Sequence, residues 1–126
     1  HSVRRKQMVT MKKGNRVTIG NVMVRSTNRG TYEIIDATKK KVIATTNFRS
    51  CALAIAKQWS KGRDVINKIM KIDNQLLKHN NDIVFYKHTL TYGTQIEAKQ
   101  SASVRYEISL GRIEHLMEIV KRYIYY

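Results

Sequence analysis

Four histidines, one cysteine and nine carboxylates are the residues of this 126-residue chain that could carry catalysis or hold a metal. The histidines are His1, His79, His88 and His115. No two of them stand four apart, the spacing that would bring two imidazoles to one helical face for a zinc ion. His79-Asn80-Asn81-Asp82 with His88 has the residue types of a His-Asn-His nuclease. Such an enzyme needs a strand-turn-helix around its metal, whereas these residues fall inside a helical repeat. Cys51 has neither a second cysteine nor an electropositive niche to lower its pKa, and it reads as a core residue together with Trp59. Asp64, Asp73, Asp82, Glu97, Glu107, Glu114 and Glu118 are dispersed along faces expected to be solvated, too scattered for paired acid–base work. No glycine-rich phosphate loop or nucleophile elbow occurs. The expectation is a protein that is not an enzyme and uses no cofactor.

The elements around these residues are more legible than any chemistry. From Asp64 onward Val65, Ile69, Ile72, Leu76, His79, Ile83, Tyr86 and Leu90 alternate in steps of four and three. After Tyr92-Gly93-Thr94, a second series follows through Tyr106, Leu110, Ile113, Met117, Val120 and Ile124. A period of 3.5 held over several heptads is a coiled-coil seam, and the chain has no proline to interrupt it. The short loop makes the two helices antiparallel neighbours. Leu90 then faces Ile96, Ile83 faces Ser103 and Leu76 faces Leu110. Ala98, Ala102 and Ser103 predict a close approach near the loop. His79 is expected to bond Tyr106 or Glu107 and to set register. At 1.5 Å per residue each helix runs roughly 42 Å, long enough to project as an arm. A second apolar stripe, Met70, Leu77 and Val84, predicts a further neighbour for the first long helix.

Residues 17–46 carry short β-branched runs separated by turn residues. Val17, Ile19, Val22 and Val24 alternate with a break at Gly20; Tyr32, Ile34 and Ile35, then Val42 and Ile43 follow. Thr27-Asn28-Arg29-Gly30 and Ala37-Thr38-Lys39-Lys40 are the turns. The reading is a three-stranded antiparallel meander. Its exposed face requires a covering helix, and residues 48–60 supply one, with Thr46 or Asn47 as N-cap and Gly62 as stop. The fold class is therefore α+β: a small three-stranded antiparallel sheet with one covering helix, followed by a long antiparallel, coiled-coil-like helical hairpin. The expected division is a basic arm over 1–16, the meander and helix over 17–62, and the hairpin over 64–126.

Charge points to the partner class. Lysines and arginines number 24 against 9 acidic residues, a formal net charge of +15. Residues 1–63 hold 15 of those cations and only two acids, so the excess belongs to the arm, sheet and first helix. An imbalance of this size favours polyanionic or acidic partners. The candidate docking residues are Arg4, Arg5, Lys6, Lys12 and Lys13 in the arm, Lys39, Lys40 and Lys41 in a turn, and Tyr123, Tyr125 and Tyr126 as aromatic anchors. No apolar run is long enough to span a membrane. With Tyr32 as the sole strand aromatic, base stacking is poorly served, so any nucleic-acid contact would be to the phosphate backbone.

Two stretches carry a resemblance. Tyr32-Glu33-Ile34-Ile35-Asp36, Val42-Ile43, Phe48 and Ala52-Leu53-Ala54-Ile55-Ala56-Lys57 form one; Asn81-Asp82-Ile83-Val84-Phe85-Tyr86-Lys87-His88-Thr89 with Arg105, Glu107, Ile108 and Arg112 form the other. Together they cover roughly residues 31–112, and they resemble small uncharacterised structural (virion) proteins of T4-like tailed phages of marine bacteria. The resemblance implies a virion component made in the host cytoplasm and present in many copies. Its partners would be the major capsid protein or other virion proteins. A capsid decoration or cement protein is the first expectation. A non-specific binder of the nucleic-acid backbone, in or near the head, is the alternative.

Overall fold

The computed structural model describes residues 16–126; Arg4, Arg5, Lys6, Lys12 and Lys13 lie outside the described residues. Four strands come first: β1 (Arg16–Ile19), β2 (Val22–Ser26), β3 (Tyr32–Asp36) and β4 (Lys41–Thr46). Three helices follow: α1 (Arg49–Ser60), α2 (Ile66–Tyr92) and α3 (Ile96–Tyr125). The strands form one antiparallel meander in the order β1-β2-β3-β4.

The α+β class holds, but the sheet has four strands instead of three. Val17 to Val24 is not one strand broken at Gly20. Gly20 and Asn21 form a two-residue hairpin loop, with Ile19 paired to Val22 and Val17 to Val24. Gly20 takes φ +60, which glycine adopts without penalty, as the first loop position of such a hairpin requires. A Cβ there would also press on Ser60 Cβ at 3.1 Å. A two-residue turn explains why the apolar positions switch from odd (17, 19) to even (22, 24).

Along β2, Val22, Val24 and Ser26 are buried and the residues between them half-exposed. Val24 pairs with Ile34, and both are fully buried. Helix α1 packs across the sheet. Cys51, Ala52, Ala54, Ile55, Ala56 and Gln58 are all buried, so α1 is enclosed around most of its circumference and not along a single stripe. The other side of α1 meets the residues at the hairpin's base. Gln58 Nε2 donates to the Tyr123 carbonyl oxygen at 2.6 Å. Asn47 and Phe48 donate to Asp73. Helix α1 ends where expected. Gly62, at φ +80, donates to the Trp59 carbonyl, and Arg63 N donates to the Gln58 carbonyl at 2.8 Å, a Schellman closure.

The chain forms two compact units. One contains the sheet, α1, the start of α2 up to Asp73, and Val120–Tyr126; the other is Asn74–Ile119. In the second unit α2 and α3 run antiparallel. Tyr86 and Thr89 share a cavity with Ala98 and Ala102, and His79 shares one with Ile108, within a residue or two of the expected register. The close backbone approach expected from Ala98, Ala102 and Ser103 does not occur: the backbones of α2 and α3 scarcely come within 8 Å of each other. Phe85 and Tyr86, which pack edge to face 5.7 Å apart, occupy one rim of the space left between them. Met70 and Leu77 of the second stripe are half-buried, whereas Val84 is exposed.

Candidate functional site

The β3–β4 turn and the start of β4 carry the basic docking residues that are described, Lys39, Lys40 and Lys41. Asp36, itself buried, organises the turn. Its Oδ1 accepts the amides of Thr38 (2.9 Å) and Lys39 (3.2 Å), and its Oδ2 accepts Trp59 Nε1 at 2.9 Å. The Trp59 hydrogen bond, with help from the turn amides and Lys39, holds the Asp36 carboxyl below its ordinary value. Lys39 Nζ lies over the Trp59 ring, 5.6 Å from its centroid, a cation–π contact. Trp59 is therefore half-buried wall rather than core, while Cys51 is buried as expected. Lys40 sits in the left-handed region at φ +55, uncommon for a side chain with a Cβ. Lys40 and Lys41 are exposed. Beside them a hollow of about 290 Å³ is lined by Asp36, Lys39, Trp59, Gly62, Arg63 and Asp64.

Of the carboxylates around this surface Asp64 stays exposed, accepting the Ile66 amide at 3.0 Å, while Glu33, Asp36 and Asp73 are engaged within the unit. Glu33 is paired with Arg25 across β2 and β3. Asp73, expected on a solvated face, is fully buried. Its oxygens accept the Asn47 amide (2.9 Å), Asn47 Nδ2 (2.9 Å) and the Phe48 amide (3.1 Å). This corrects the expected capping of α1. The N-cap is Phe48, which has no capping side chain, and α1 has no acid in its first turn. Thr46 donates instead to the Phe48 carbonyl. Asp73 supplies the missing anion from another helix, at the end where the helix dipole favours it. Desolvation, then the Asp73 charge and a hydrogen bond to it, push the Cys51 thiol far above its ordinary value. A thiol so held is a poor nucleophile. With Glu33, Asp36 and Asp73 engaged, the unit's surface presents mainly cations: Arg16, Arg29, Lys40, Lys41, Lys61 and Arg63 are exposed.

The three tyrosines divide. Tyr123 is half-buried, its carbonyl bonded by Gln58 and its ring 5.8 Å from Lys68 Nζ, so it belongs to the base of the hairpin. Tyr125 and Tyr126 are 72% and 80% exposed. Arg29 and Arg63 were not among the expected docking residues. Arg29 precedes Gly30 at a turn tip, a position that presents its side chain outward. Arg63 follows the helix stop, and its place beside Lys39 depends on the tertiary fold. His79 does not bond Tyr106 or Glu107: its Nδ1 is buried without a hydrogen-bond partner. Among the described residues, no group of three or more histidine, cysteine or acidic side chains could hold a metal ion. Nor is any described helix long and apolar enough to cross a membrane.

Compared with the known protein families, with curated proteins and with solved structures, the chain matches none.

Proposed function

We propose that this is a non-enzymatic structural protein that docks through its cationic sheet unit on an acidic protein surface. In its most specific form it is a capsid decoration or cement protein of a phage particle, bound in many copies to the major capsid protein or another virion component. One observation carries the docking reading. The sheet unit spends Glu33, Asp36 and Asp73 on internal hydrogen bonds and ion pairs while Arg29, Lys40, Lys41 and Arg63 stay exposed. The resemblance of residues 31–112 supports the virion setting.

The same cations suit a phosphate backbone, and salt separates the two readings. Co-sedimentation with purified particles should be weakened by deleting residues 1–16 and by the double variant Lys40→Gly, Lys41→Thr. The Gly substitution suits the left-handed position, so it removes charge without straining the turn. Undiminished particle association in both variants would end the docking proposal. A micromolar affinity for random-sequence duplex DNA, falling steeply between low and high salt, would favour the nucleic-acid reading.

A further inference from the structure

Helices α2 and α3 leave a groove between them within Asn74–Ile119. Two cavities open into it, of about 300 Å³ near the loop and about 370 Å³ further along. On α2 the lining residues Gln75, His79, Tyr86 and Thr89 keep heptad spacing; on α3, Arg105, Ile108, Arg112 and His115 do the same. That spacing places each set on one helical face, so the two cavities are successive stretches of one groove. From Gln75 to Thr89 it runs roughly 21 Å, about four helical turns. Its lip is apolar and open: Phe85 is 67% exposed and Ile108 49%. The groove lies on a different side of α2 from Val84, at a right angle or more around the helix.

We infer that this groove is the seat of a third helix, an acidic amphipathic helix from another protein. A trough between two antiparallel helices, with apolar walls and a wide floor, is the shape a third helix fills. Charge selects the occupant. The ionic side chains lining the groove are Arg105 and Arg112, accompanied by His79 and His115, and no carboxylate lines it. A second copy would bring Arg105 and Arg112 against their own kind, which like-charge repulsion disfavours. Glutamates flanking the apolar stripe of an incoming helix would meet both arginines.

The test uses the full chain and two fluorescein-labelled 16-residue peptides with leucines at heptad spacing, one flanked by glutamates and the other by lysines. Fluorescence anisotropy should show binding of the acidic peptide alone. Reversing charge in Arg105→Glu/Arg112→Glu should weaken it by about tenfold or more and admit the basic peptide. Ile108→Asp should also weaken it. Val84→Asp, off the groove, should leave it unchanged, with circular dichroism verifying the fold of each variant. Equal binding of both peptides, no binding of the acidic one, or indifference to the α3 substitutions would overturn the proposal. So would sedimentation showing a dimer that Ile108→Asp dissolves, since the occupant would then be a second copy.

Discussion

Asp73 is a buried carboxylate whose ligands are all hydrogen-bond donors from the start of α1, with the Cys51 thiol beside them. Removing it strands two backbone amides in the interior. Asp73→Ala should therefore cost about 3 kcal/mol, and Asp73→Asn, which keeps one acceptor oxygen, distinctly less. Urea titrations of the three proteins check this. Asp36 gives a pH dependence instead. Its folded-state pKa lies below the ordinary value of 3.8, so its contribution is complete above that value and fades as pH falls through the lower folded one. The stability difference between wild type and Asp36→Asn should be constant at neutral pH and shrink below about pH 3.8. Trp59, the only tryptophan, reports this by fluorescence. His79 offers the opposite sign. Replacing an unpartnered buried imidazole nitrogen with hydrocarbon, as in His79→Leu, should stabilise by about 1 kcal/mol. In a thermal melt that is a rise of roughly 4 °C.

Helix α1 is enclosed by the sheet on one side and the hairpin base on the other, which explains its run of alanines: Ala52, Ala54 and Ala56 leave room for two close layers. Ile55 is its one large, fully buried side chain, and Ile55→Ala should cost about 3 kcal/mol by cavity formation, read from the denaturation midpoint. Within the second unit, Gly93 closes the α2–α3 loop so tightly that a Cβ would collide with the Thr89 carbonyl. Features such as these separate what was legible in the sequence from what was not. Gly30, Gly62 and the heptads act locally, through backbone freedom and helical period, and each marks its element correctly. The extra strand was also written locally, in the parity switch between Ile19 and Val22, but alternation alone does not distinguish a long strand from a tight hairpin. The N-terminus of α1 could not be placed from its neighbours, because its partner stands 26 residues downstream. Its one local sign is negative: no acid in the first turn to meet the dipole. The groove basicity is likewise hidden until α2 and α3 are side by side, since Arg105 and Arg112 look like ordinary solvated helix residues in sequence.

The sheet unit is discontinuous in sequence: Val120–Tyr126 belongs with the residues up to Asp73, and Asn74–Ile119 stands between them. Two bonds tie its last segment down, Gln58 to the Tyr123 carbonyl and Lys61 to the Tyr126 carbonyl. Val120 is fully buried there. This has a consequence for synthesis. On the ribosome the strands and α1 emerge first, yet the start of α1 stays unsatisfied until Asp73 appears. Its second flank stays bare until Val120 and Tyr123 are made. The unit cannot be completed piece by piece from the N-terminus; its closing segment arrives last. Nascent chains halted short of Val120 should remain sensitive to protease within the sheet, and chains whose Val120–Tyr126 segment has cleared the ribosome should be resistant.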